Sequence, residues 1–93
     1  MSTIKNVIKR SGAVVPFNPE RITNAIYRAA VAVGGRDRAI AERLTKQVVR
    51  LLEARTPPDQ TPTVEEIQDV VEKVLIENRH ARVAKAFILY RDE

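Results

Sequence analysis

At Asn18-Pro19 the spacing of apolar residues changes from about two to about 3.6, which turns a strand-like chain into a helical one. Before that point Val7 and Ile8, and then Val14, Val15 and Phe17, form two short β-favouring runs. Lys9-Arg10-Ser11-Gly12-Ala13 separates them, and Gly12 can take the positive φ that a tight turn needs. This predicts a β-hairpin over about residues 4–17. Pro16 has no ladder donor, so its strand is expected to be an edge strand or a short, irregular one.

After it, Asn18 can cap a helix, Pro19 suits the first turn, and Glu20 complements the positive end of the helix dipole. Ile22, Ala25, Ile26, Ala29, Ala30 and Val33 then lie on one stripe, and Gly34-Gly35 ends the helix, giving a span of about 19–33. A second helix is expected over about 37–54, with Ile40, Leu44, Val48, Leu51 and Leu52 inward. The prolines of Thr56-Pro57-Pro58-Asp59-Gln60-Thr61-Pro62 make a loop, the one flexible-looking stretch. Thr63-Val64-Glu65-Glu66 reads as a capping box opening a third helix, about 64–77, that buries Ile67, Val70, Val71, Val74 and Leu75. Asn78-Arg79 breaks the pattern. Val83, Ala84, Phe87, Ile88 and Tyr90 are the inward set of a last helix, about 80–90. The expected fold is mainly α with a small β part: four amphipathic helices behind a hairpin, in one domain spanning 1–93. The abrupt end after the last helix suggests a module cut from, or fused to, something larger.

Composition narrows the chemistry. In 93 residues there is no cysteine and one histidine, His80, so disulfide frameworks, zinc ribbons, thiol nucleophiles and histidine triads lack their parts. The longest apolar run, Ala29 to Val33, is far short of a membrane span, and Met1 to Arg10 has no secretory core, which predicts a soluble cytoplasmic protein. The net charge of +4 is unevenly placed: residues 59–78 carry six acids and one base, net −5, leaving +9 on the rest. Such a surface suits a phosphorylated ligand, an anionic partner or nucleic acid. Glu65, Glu66, Asp69 and Glu72 read as a solvated helix face, and His80 as a surface residue beside a helix start.

One cluster of cations has a second feature beside it. Lys9 and Arg10 sit at the hairpin turn, and Arg21 lies in the first turn of the helix entered through Asn18-Pro19, where free N–H groups already favour an anion. No glycine-rich strand-to-helix phosphate loop is present, so a nucleotide site would have to be built differently.

The run Val7-Ile8-Lys9-Arg10-Ser11-Gly12-Ala13-Val14-Val15-Pro16-Phe17-Asn18-Pro19-Glu20-Arg21-Ile22 with Ala25-Ile26 resembles the start of the ATP-cone domain. This is the allosteric module of many ribonucleotide reductases. Val64-Glu65-Glu66-Ile67-Gln68-Asp69-Val70-Val71-Glu72 and Ala84-Lys85-Ala86-Phe87-Ile88-Leu89-Tyr90-Arg91 resemble two further parts of it, so the likeness covers nearly the whole chain. The Val15-Pro16-Phe17 variant is most similar to the anaerobic and cobalamin-dependent classes. The resemblance implies a β lid over a four-helix bundle, with ATP or dATP, accompanied by Mg2+, between them. It implies that Lys9 and Arg10 contact phosphates, Asn18 the adenine, and Arg21 the sugar or phosphates. Val7, Phe17, Ile22 and Ile67 would wall the base pocket, with Thr63, Gln68 and Arg91 around the triphosphate. Ser11 stands where the family often has Asp, and Val15 where some members have a Glu that helps to recognise the base.

The implied partner is a ribonucleotide reductase catalytic domain or subunit, with nucleotide-dependent self-association. Reductase chemistry needs cysteines, so a regulatory module rather than the enzyme is expected. The alternatives are a protein-interaction module without a ligand and a small DNA-binding protein. The latter rests on the basic second helix with Arg36, Arg38, Arg43, Lys46, Arg50 and Arg55, but Asp37, Glu42 and Glu53 interrupt those bases and no helix-turn-helix spacing is evident.

Overall fold

The computed structural model describes residues 4–91. Strands β1 (Asn6–Ile8) and β2 (Val14–Pro16) form the antiparallel hairpin, with Asn6 opposite Pro16, Val7 opposite Val15 and Ile8 opposite Val14. The Gly12 N–H donates to the Lys9 carbonyl and the Lys9 N–H to the Ala13 carbonyl, closing a tight turn in which Gly12 has φ +89°. Pro16 is the last residue of β2, and the Phe17 N–H carries the pairing one residue further by donating to the Lys5 carbonyl at 2.9 Å.

Four helices follow: α1 (Pro19–Ala32), α2 (Arg38–Arg55), α3 (Val64–Glu77) and α4 (Ala81–Arg91). The expected spans differ from these by one residue at individual ends, where cap geometry decides. Asn18, Asp37 and Thr63 are N-caps whose side-chain oxygens accept from the backbone N–H groups of Glu20, Ala39 and Glu66. Two helices end in the same Schellman geometry. At the end of α1 the N–H groups of Gly34 and Gly35 donate to the carbonyls of Val31 and Ala30. At the end of α3 those of Arg79 and His80 donate to Ile76 and Leu75, and Arg79 takes the left-handed conformation, φ 65°, usually left to glycine.

Each helix packs against the next, and α4 closes the ring on α1. Ile26, Ala29, Val48, Leu52, Val70, Val71 and Leu75 form the centre of the core, which Ile4 and Val7 of the hairpin segment join from one end. All five residues expected inward on α3 are buried, but Ile88 on α4 is 39% exposed. It lies one position beyond Phe87, about 100° round the helix, and so turns away from the stripe that Ala84 and Phe87 bury.

The loop before α3 is less free than its prolines suggest. Pro62 is fully buried, its carbonyl accepts from the Ile8 N–H at 2.9 Å, and Ile8 forms a parallel bridge with Thr63. One end of the loop therefore ties the hairpin to the bundle.

The core also holds a polar pair. Thr45 Oγ1 donates to the Ala41 carbonyl at 2.8 Å, so the 2.7 Å bond between the two hydroxyls must be donated by Thr23. Thr45→Val is expected to cost about 1–3 kcal/mol because it strands the Thr23 hydroxyl in the core. Adding Thr23→Val should recover part of that loss, an interaction that a double-mutant cycle by urea unfolding would measure.

Candidate functional site

The hairpin does not lie flush on the helices. Between them is a cavity of about 240 Å3, walled by Val7, Val15 and Phe17 of the hairpin segment, Ile22 and Ala25 of α1, Val64, Ile67 and Val71 of α3, and Phe87 of α4. Its polar lining is Lys9, Asn18, Arg21 and Gln68. Hydrophobic period explains the helical walls: each of these helices turns one face inward, and the core-facing residues nearest the hairpin end become cavity wall instead of packed core.

Eight residues singled out in the sequence therefore come together here: Val7, Lys9, Phe17, Asn18, Arg21, Ile22, Ile67 and Gln68. Arg10, Thr63 and Arg91 lie outside the lining. Val64, Val71 and Phe87 line it without having been given a site role, although all three lie in the segments that carry the family resemblance; Val71 and Phe87 were read only as inward apolar residues, a signal common to wall and core.

The cations divide into two groups. Lys9 and Arg21 are exposed, and their side chains form no hydrogen bond or ion pair among the described residues. Arg10 and Arg91 are engaged. Arg10 Nε donates to Glu65 Oε1 at 3.1 Å, while its Nη2 donates to Gln68 Oε1 at 3.2 Å and to the Arg91 carbonyl at 2.8 Å. The hairpin turn is thereby latched to the first turn of α3 and the last turn of α4, whose open carbonyl it satisfies. Arg91 Nη1 donates to Asp69 at 3.1 Å and to Glu72. Burial lowers the Arg91 pKa, but hydrogen bonds and attraction from Glu72 and Asp69 outweigh it and hold the group above its ordinary value.

Three of the four carboxylates read as a solvated face thus have assigned partners: Glu65 with Arg10, and Asp69 and Glu72 with Arg91. Spacing along α3 placed them on the surface but could not show that two arginines from distant segments arrive there.

Asn18 has a divided role. Its Oδ1 accepts from the Glu20 N–H at 3.0 Å, which orients the amide and leaves the Nδ2 hydrogens and the second Oδ1 lone pair for a ligand. The site as a whole presents an apolar slot, the side-chain amides of Asn18 and Gln68, and two cations unpaired among the described residues, a combination suited to a flat heteroaromatic ring bearing an anionic tail.

Residues 5–93 match the family described as the ATP cone domain. The chain is 45% identical, over 97% of its length, to the vitamin B12-dependent ribonucleoside-diphosphate reductase of Thermoplasma acidophilum. It is 38% identical over 95% of its length to the anaerobic ribonucleoside-triphosphate reductase of Salmonella typhimurium, and 37% identical over 94% to the ribonucleoside-diphosphate reductase subunit alpha of Chlamydia trachomatis. It spans 12%, 12% and 9% of those three proteins.

Proposed function

The chain belongs to the ATP cone domain family, and from that premise we propose that it binds ATP or dATP beneath its hairpin and so controls the activity and subunit association of a ribonucleotide reductase. The observation that carries this reading is the cavity between hairpin and bundle, with its apolar walls and the unpaired Lys9 and Arg21. At about 240 Å3 it lies below the roughly 300–1,000 Å3 of pockets that enclose a whole ligand. It suits the base and sugar, and the phosphates would then lie at its mouth, beside Lys9 and Arg21.

A base contact is assigned to the N-cap. With Oδ1 oriented by the Glu20 N–H, the Asn18 Nδ2 group can donate to a ring nitrogen of adenine. Asn18→Asp retains the cap but loses the donor, so it is expected to leave the melting temperature within a few degrees of the parent. It should weaken ATP about tenfold, the loss of one hydrogen bond at 1.4 kcal/mol per decade. Calorimetry with thermal melting of the same samples checks both.

Switching follows from the latch. A triphosphate at the mouth competes with Glu65 for Arg10, and moving Arg10 releases the hairpin turn from α3 and α4. ATP and dATP differ by one sugar hydroxyl, so any difference in their effect must come from contacts near the sugar, which we assign to Arg21. Mg2+ is expected to arrive on the phosphates.

Calorimetric titration of the chain with ATP, dATP and GTP in magnesium at near-physiological salt, with light scattering of each complex, tests the reading. Saturable, adenine-selective binding that shifts the association state is the expected result. Failure of all three nucleotides to bind would overturn it.

A further inference from the structure

Away from the hairpin, three shallow cavities of about 460, 420 and 430 Å3 run into one another along α1 and α4. The first two share Val33 and Arg82, the second two share Ala32 and Tyr90, and none shares a lining residue with the cavity under the hairpin. We propose that this continuous groove docks an acidic segment of a partner protein that carries apolar anchors.

Charge identifies the occupant. The groove is lined by six cations, Arg28, Arg36, Arg38, Arg79, Arg82 and Lys85, and one carboxylate, Asp37, which caps α2. The side chains of Arg36, Arg79, Arg82 and Lys85 have no hydrogen-bond or ion-pair partner among the described residues. No acid of α3 is paired with them: Glu65, Asp69 and Glu72 are engaged by Arg10 and Arg91, and Glu77 by Lys73. Four uncompensated cations along one groove repel one another, and an acidic segment relieves that repulsion as it binds.

The floor supplies the second half of the argument. Leu89 is 65% exposed and Val31 48% exposed, and with Ala32, Val33 and Ala86 they form an apolar strip between the cations. Phosphate chains need no such strip, whereas a peptide with regularly spaced Leu or Phe fills it. Nucleic acid is further disfavoured because Arg28 and Arg38 already lie over the Tyr90 and Tyr27 rings, at 4.9 and 5.6 Å from the centroids, where a base would stack.

The test uses the 93-residue chain and a fluorescein-labelled helical peptide about five turns long, with Leu and Phe at i, i+3, i+4 and i+7 and Glu between them. A scrambled peptide of the same composition, oligoglutamate and a labelled single-stranded DNA are titrated beside it by fluorescence anisotropy. Saturable binding of the patterned peptide is expected, at least about tenfold tighter than the scrambled one. Arg82→Glu with Lys85→Glu, and separately Leu89→Ser, should each weaken it by about tenfold or more. All three residues are exposed, so melting should not change, and ATP titration should not either. No saturable binding, equal binding of scrambled peptide or oligoglutamate, or indifference to these variants would overturn the proposal. DNA binding tighter than peptide binding and lost in the same variants would make the groove a nucleic-acid surface instead. Lys9→Ala with Arg21→Ala separates the two sites: it should remove nucleotide binding and leave peptide binding to the nucleotide-free chain intact.

Discussion

Replacing Lys9 and Arg21 together by alanine is expected to weaken ATP binding at least about 100-fold while leaving thermal unfolding unchanged. Both side chains line the cavity under the hairpin, and neither is paired within the described chain, so their removal breaks no internal contact. Hydrogen bonds to a charged group are worth about 1.5–3 kcal/mol each, and two of them at the lower figure already correspond to roughly 100-fold. Lys46→Ala with Arg50→Ala, on the exposed face of α2, removes the same charge and should change binding only by the small factor that long-range attraction supplies. Calorimetry on the two double variants distinguishes local contact from general charge. Equal losses in both would mean that the phosphates do not lie at the mouth of this cavity.

The largest loss of stability is expected from Phe87→Ala. Phe87 is 5% exposed, anchors α4 against the core, and closes the inner side of the cavity beside Ile67 and Val71. Truncating a buried phenylalanine costs about 3–5 kcal/mol, a large share of the roughly 5–14 kcal/mol typical of a chain this long. The melting temperature should fall by at least about 12 °C. Ile88→Ala, one residue further on, should cost far less because that side chain is already 39% exposed. Comparable losses at both positions would show that α4 is rotated from the orientation described. Scanning calorimetry decides it.

Ile88 also shows where reading by residue type fails. Ala84, Phe87 and Ile88 share the i, i+3, i+4 relation, and three-to-four spacing alone cannot say which edge of a stripe meets the neighbouring helix. On α3 the stripe of Val70, Val71, Val74 and Leu75 was easier to place, because Glu66, Lys73 and Glu77 border one edge and Gln68 and Glu72 the other, although Ile76 beside Leu75 is 59% exposed. Hairpin turn and helix caps were equally legible. Gly12, Asn18, Thr63 and Gly34 act through groups within five residues of themselves, so each carries its partner beside it in the chain.

The site was legible in part, and for two different reasons. Lys9, Asn18 and Arg21 lie within thirteen consecutive positions, so a hairpin leading into a helix is enough to bring them near one another. Family resemblance drew in Ile67 and Gln68, which no local pattern connects to that segment. Neither source indicated that Arg10 would be held by Glu65, fifty-five positions away.

Sequence alone settles the interactions that span a turn or two of chain: the number and period of the helices, their caps, the glycine turn, and the exclusion of cysteine chemistry. Tertiary structure decides the pairings between distant segments. These include Ile8 with Pro62, Thr23 with Thr45, Arg10 and Arg91 with the acids of α3, and the separation of free cations into a cavity mouth and a groove on the far face. Periodicity tells which way a side chain points from its own helix, and only the packing of helix on helix tells what it meets there.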